Sequence, residues 1–207
     1  MYDVDGFETS RRLVRRMHAR DIRAVCYVSA GAWGAFRPDA DDVPEELLGR
    51  RNGWPGERWL DIRELDTLGP FLQARVAMCA RKGFDGIEFD NVDGYANRTG
   101  FPLTSADQLA FNVWLANTAH AHGLAAFLKN DVGQIRELER YFDGAVNEQC
   151  HQYDECARLS RFVDAGKPVF GVEYRLHAAE FCPAANRRNL DFLQKRLDLD
   201  AWRVACR

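Results

Sequence analysis

Gly83-Phe84-Asp85-Gly86-Ile87-Glu88-Phe89-Asp90-Asn91 is the stretch on which the reading of this chain turns. Residues 86–90 alternate: Ile87 and Phe89 are apolar, Glu88 and Asp90 acidic. A strand here sends both carboxylates to one face and both apolar side chains to the other. The acids fall where the strand ends. Before it, Leu68, Leu72, Val76 and Cys79 recur at helical spacing over 68–81, and after it a second helical stretch runs to about His122. Strand between helices, with polar chemistry at the strand's end, is the signature of a βα unit.

The same pattern repeats outward. Further strands are predicted at 2–7, 24–29, 125–129, 144–147 and 169–173, with a weak seventh near 201–204. Helices are predicted at 10–20, where Leu13, Val14 and Met17 share a face among arginines, and at 134–141, 155–165 and 185–197. Ser105-Ala106-Asp107-Gln108 reads as a capping box and Gly123 as the stop of that helix. Residues 31–61, rich in Trp, Pro, Gly and acids, read as a long decorated loop with a short element near 59–62. No linker or repeat divides the 207 residues, so a single domain, 1–207, is expected. The fold class is α/β: a (β/α)8-type TIM barrel, incomplete with seven strands, or a doubly wound sheet. No glycine-rich phosphate turn follows the first strand, which disfavours a dinucleotide-binding sheet. A full barrel typically takes ~250 residues, so this chain is about one βα unit short.

Composition narrows the function. The 28 Lys and Arg against 31 Asp and Glu leave a net charge of −3, which argues against a nucleic-acid or anionic-membrane partner. No apolar run of about 18 residues is present. The arginines of 11–20 read as a solvated helix face. The six cysteines, at 26, 79, 150, 156, 182 and 206, form no CxxC pair, which speaks against a zinc ribbon and for disulfides in an oxidising compartment. Cys150 and Cys156 are near enough to close a small loop, and Cys206 could staple the C-terminal end. Spacing does not fix the pairing; Cys26–Cys79, Cys150–Cys156 and Cys182–Cys206 is taken as the expectation. Met1 is followed by Tyr2-Asp3-Val4-Asp5, without the basic and apolar regions of a secretory leader, so a secreted reading expects a start upstream of Met1.

Acids and amides close strand after strand. Asp3 and Asp5 share a face of the first, Glu88 and Asp90 of the third, Lys129-Asn130-Asp131 ends the fourth, Asn147-Glu148 the fifth and Glu173-Tyr174 the sixth. Unpaired buried carboxylates cost several kcal/mol each, so salt bridges, solvated ends or a functional site must account for them. Two could flank a scissile glycosidic bond as acid and nucleophile or base, about 5–5.5 Å apart in a retaining enzyme and about 6.5–9.5 Å in an inverting one. Other motifs fail. Asn91-Val92-Asp93-Gly94 lacks the acids that a calcium loop needs, His120 and His122 diverge within a helix end, Gly166-Lys167-Pro168 lacks the rest of a phosphate loop, and no nucleophile elbow surrounds Ser29.

At these residues the chain becomes familiar. Tyr2-Asp3-Val4-Asp5-Gly6-Phe7, Val25-Cys26-Tyr27-Val28-Ser29-Ala30-Gly31, Gly53-Trp54-Pro55-Gly56-Glu57-Arg58-Trp59-Leu60-Asp61, the 83–91 stretch, Leu128-Lys129-Asn130-Asp131 and Val146-Asn147-Glu148-Gln149-Cys150 follow in order. Together they resemble glycoside hydrolase family 114, the endo-α-1,4-polygalactosaminidases, over essentially the whole chain. The resemblance implies a TIM barrel that cleaves α-1,4-linked galactosamine polymers, with Asp90 as nucleophile and Glu148 as general acid/base. Asp5, Tyr27, Glu88, Asp93, Lys129, Asn130, Glu173 and Tyr174 would form the subsites, and Trp33, Trp54 or Tyr95 would stack on sugars. It implies no metal and no cofactor, a polysaccharide as partner, a monomer, and secretion. The family barrel normally opens with a strand ahead of Tyr2, which this sequence lacks.

Two alternatives stay open. One is a non-catalytic carbohydrate-binding barrel that kept an acidic cleft. The other is a metal-dependent hydrolase on the same scaffold.

Overall fold

The computed structural model describes all residues from Met1 to Arg207, which form two compact units, Met1–Phe127 and Leu128–Arg207. The first holds β1 (Tyr2–Asp5), α1 (Arg11–His18), β2 (Ala24–Ser29), β3 (Ala32–Gly34), β4 (Leu48–Arg51), β5 (Glu57–Leu60), α2 (Leu65–Lys82), β6 (Gly86–Asp90), α3 (Ser105–Ala121) and residues 125–127 of β7 (Ala125–Lys129). Its larger sheet runs β1–β2–β6–β7. β1, β2 and β6 are parallel, with Asp5 opposite Tyr27, Tyr27 opposite Glu88, and Ser29 opposite Asp90. That register puts Asp5, Tyr27, Ser29, Glu88 and Asp90 on one face, because in-register partners and residues two apart point the same way. Cys26, Val28, Ile87 and Phe89 fill the other face and are buried. There the Cys26–Cys79 disulfide fastens β2 to α2.

α2 stops where Gly83 turns left-handed at φ 86°, its N–H returning to the carbonyls of Cys79 and Ala80. The capping box of α3 lies one residue earlier than predicted. Thr104 takes the N–H of Asp107, and Asp107 Oδ2 takes the backbone N–H of Thr104 at 2.8 Å. Residues 31–61 are not a plain loop: β3, β5 and β4 pair antiparallel into a second, three-stranded sheet.

The second unit holds residues 128–129 of β7, α4 (Ile135–Leu138), β8 (Gly144–Glu148), α5 (Ser160–Asp164), β9 (Val169–Glu173), α6 (Ala178–Arg187), β10 (Asp191–Gln194) and β11 (Val204–Ala205). Its strands run β7–β8–β9–β10–β11, with β8, β9 and β10 parallel and β11 antiparallel to β10. The predicted helix over 185–197 is corrected: α6 ends at Arg187 and 191–194 is a strand. Asn189 turns left-handed at φ 57° to make the change. Phe192 then lies opposite Gly171, where a Cβ would stand 2.2 Å from the Phe192 ring, so only glycine leaves the ring its place. The weak strand near 201–204 reduces to the two residues of β11. The other two disulfides, Cys150–Cys156 and Cys182–Cys206, close loops within this unit, as expected.

Candidate active site

Each unit carries a half-exposed carboxylate at the end of a parallel strand that is held by a tyrosine. In the first unit, the Tyr27 hydroxyl donates to Asp90 Oδ2 at 2.9 Å. Asn91 Nδ2 stands 3.3 Å from the same oxygen and donates to Ser29 Oγ at 3.0 Å. Asn91 is left-handed at φ 61°, a conformation that asparagine tolerates better than most residues. Glu88 lies on the same face, buried below Asp90. Asp5 takes Arg37 at 2.6 Å on one oxygen and the N–H groups of Phe7 and Glu8 on the other, so it serves the start of the β1–α1 loop and anchors Arg37. Asp93 begins the short turn over Gly94–Ala96 and holds Asn97 through its carbonyl.

In the second unit, the Tyr174 hydroxyl donates to Glu148 Oε1. The Lys129 ammonium is 3.7 Å from Glu148 Oε2. Asn130 Oδ1 accepts the backbone N–H of Glu148 at 2.9 Å, and Asn130 N–H reaches the Val146 carbonyl at 2.9 Å. Gln149, directly after Glu148, is left-handed at φ 65°, as are Asn130 at 50° and Asp131 at 37°. Non-glycine residues in this region store strain and gather where a site over-determines the backbone.

Glu173 corrects an expectation. Glu148 lies opposite Val172, so Glu148 and Tyr174 share one face and Glu173 points to the other, towards the side where Phe192 is buried. Glu173 is fully buried, and its Oε1 accepts the His151 N–H at 2.8 Å. Burial pushes its carboxyl above the usual carboxylate range, and the N–H groups of His151 and Gln152 pull it part of the way back. It therefore braces the loop after Glu148 rather than standing among the subsite residues. The His151 ring packs against Phe181 and Phe192, and burial, aided by Arg188, lowers its pKa.

Two residues at the site had no role assigned from the sequence: Asn91 beside Asp90, and Asn52, whose Nδ2 donates to Glu57 at 2.7 Å and lies 3.5 Å from Asn91 Oδ1. An asparagine directly after a strand that ends in acid was the available signal. Trp33 donates its indole N–H to the Ala40 carbonyl at 2.9 Å, and Trp54 stands in solvent. Cys150, His151 and Cys156 cluster, but the two sulfurs are bonded to each other and offer no thiolate to a metal. His122 Nδ1 lies 2.9 Å from the Thr118 carbonyl within its own helix.

Comparison with known proteins follows the same lines. The model of glycoside-hydrolase family GH114 matches residues 1–207. The crystal structure of Aspergillus fumigatus Ega3 in complex with galactosamine superposes with a TM-score of 0.92 at 35% identity, covering 99% of this chain and 87% of that one. The glycoside hydrolase domain of PelA from Pseudomonas aeruginosa shares the fold at a TM-score of 0.74 and 14% identity, over 98% of this chain and 89% of that one. An uncharacterized protein of Deinococcus radiodurans is 26% identical over 226 residues, covering 93% of this chain and 72% of its own length. The fold class is that of the TIM-barrel-like glycoside hydrolases.

Proposed function

The chain belongs to glycoside-hydrolase family GH114, and from that premise we propose that it cleaves α-1,4-linked galactosamine polymers within the chain, with Asp90 and Glu148 as the catalytic pair. The observation that carries the reading is the matched construction of two strand-terminal carboxylates. Each is half-exposed, each accepts a tyrosine hydroxyl, and each is followed by a left-handed residue that turns the chain away from the carboxylate. The likeness to Ega3, a structure with galactosamine bound, supports an amino sugar as substrate. A deacetylated galactosamine unit carries an ammonium, and carboxylates at strand ends suit a cationic polymer.

In the proposed reaction, Asp90 attacks the anomeric carbon as Glu148 protonates the departing glycosidic oxygen. The glycosyl–Asp90 ester is then hydrolysed by water that Glu148 deprotonates, which restores both groups. Tyr27 and Asn91 hold the Asp90 carboxylate in one orientation; Tyr174 does the same for the Glu148 carboxylate, while Asn130 fixes the Glu148 backbone. The subsites would draw on Tyr27, Asp93, Lys129, Asn130 and Tyr174, with Glu88 and Asp5 supporting them from below. The three disulfides fit secretion into an oxidising compartment, and no helix is long and apolar enough to cross a membrane. Incubation with de-N-acetylated α-1,4-galactosamine polymer tests the reading. Early products of mixed length support internal cleavage; polymer that binds and stays intact over long incubation would make the protein a carbohydrate-binding barrel instead.

A further inference from the structure

Phe36, 59% exposed, and Trp54, 54% exposed, stand in water in the first unit. They sit at one end of the three-stranded sheet. Phe36 follows β3 and Trp54 precedes β5, which pairs with it antiparallel, Gly34 lying opposite Glu57. The two are tied closely. Ala35 N–H donates to the Gly56 carbonyl at 2.9 Å, and a Cβ on Gly56 would lie 3.4 Å from the Phe36 ring.

Leaving aromatic surface in water forgoes the gain of burying it, yet the backbone that holds Trp54 out is fixed residue by residue. Asn52 Oδ1 accepts the Trp54 N–H at 3.0 Å. Trp54-Pro55-Gly56-Glu57 is a tight turn closed by Glu57 N–H on the Trp54 carbonyl at 3.2 Å, with proline at its second position and Gly56 at φ +79° in its third. Asn52 then joins this turn to Asn91 and so to Asp90. The Arg37 guanidinium covers one side of the Phe36 ring at 5.0 Å.

A sugar lays its C–H face on an aromatic ring, and an amino sugar adds attraction between its ammonium and the ring's π face. The Glu57 carboxylate at the base of the turn adds a negative charge. We infer that Phe36 and Trp54 form a distal subsite for galactosaminyl units beyond the cleavage point, which lets the protein hold long chains better than short ones. This rests on the substrate class proposed above.

The test uses the full chain carrying Asp90→Asn, so that polymer is bound and not consumed, and compares dissociation constants for long galactosamine polymer and for the disaccharide by calorimetry. Adding Trp54→Ala or Phe36→Ala is expected to weaken polymer binding about fivefold to tenfold and to shrink the polymer-to-disaccharide ratio by the same factor. Leu197→Ala, which removes another exposed apolar side chain, should leave both constants unchanged. Polymer binding unaltered by Trp54→Ala and Phe36→Ala overturns the subsite. If the unsubstituted protein cleaves the polymer while that happens, the subsite alone fails. If it cleaves nothing but Trp54→Ala still weakens binding, the subsite stands and the catalytic reading fails. No polymer binding at all overturns both.

Discussion

The Tyr27 hydroxyl donates to Asp90 Oδ2 at 2.9 Å across neighbouring parallel strands, each residue near its strand's C-terminal end. The bond holds the Asp90 carboxylate to one orientation. Hydrogen bonds to charged groups are worth about 1.5–3 kcal/mol, which is about ten- to a hundredfold in rate when the bond orients a reacting group. Tyr27→Phe is expected to lower kcat by about that factor with little change in KM, and Tyr174→Phe, which frees Glu148, to do the same. Steady-state kinetics on the polymer check this. Unchanged kcat in both variants would remove the tyrosines from the site's construction.

Glu173 gives a pH signature. Its carboxyl is raised by burial, so the folded protein binds this proton more tightly than the unfolded chain. Its contribution to stability is full below the ordinary carboxylate value of about 4.3 and is lost as pH climbs through the raised one. Wild type should therefore lose stability relative to Glu173→Gln as pH rises above the ordinary carboxylate value of about 4.3. Thermal melts across that range check the sign; parallel curves would contradict it.

Asp85 behaves in the opposite sense. Burial pushes its carboxyl up, but the Ala24 N–H, Arg23 and His18 together hold it below the usual range. It binds them at 2.8, 2.6 and 2.8 Å, joining α1, β2 and β6. Its stabilisation is present above the ordinary carboxylate value and disappears as pH falls through the depressed one. Asp85→Asn should cost about 1–2 kcal/mol at neutral pH, with the gap from wild type closing below about pH 4. Urea unfolding at several pH values measures it.

The disulfides should differ in worth. Cys26–Cys79 spans 53 residues of sequence and Cys150–Cys156 only 6. Loop-closure entropy assigns about 4 kcal/mol to the first and about 2 to the second. Replacing both cysteines of each pair by serine should therefore destabilise the first variant by about 2 kcal/mol more; equal losses in urea unfolding would show that chain entropy does not set the difference.

Most of the strand pattern was legible because a βα chain writes its strands as short apolar runs with polar ends. Residues 24–29, 86–90, 125–129 and 169–173 are strands over the predicted bounds. Asp191-Phe192-Leu193-Gln194 was not legible: it has two apolar residues and no β-branched one, and its strand state is imposed by pairing with β9 and by the fit of Phe192 over Gly171. The β3–β5–β4 sheet stayed hidden among turn residues. At the strand end, the face that Glu88 and Asp90 share was legible from alternation, since Ile87 and Phe89 had to face the helices; the choice of Asp90 over Glu88 came from the family resemblance. Glu173 was misread for a converse reason. Adjacent acids or tyrosines at a strand's end point to opposite faces, and only the register with β8 tells that Tyr174, not Glu173, stands with Glu148.

Product release from α-1,4-galactosamine polymer by Asp90→Asn and by Glu148→Gln, each verified as folded by its thermal midpoint, tests the central claim most directly. Both substitutions keep size and shape while removing the charge, and each should lower release by at least about 10³-fold. Release at the wild-type rate by either variant would contradict it.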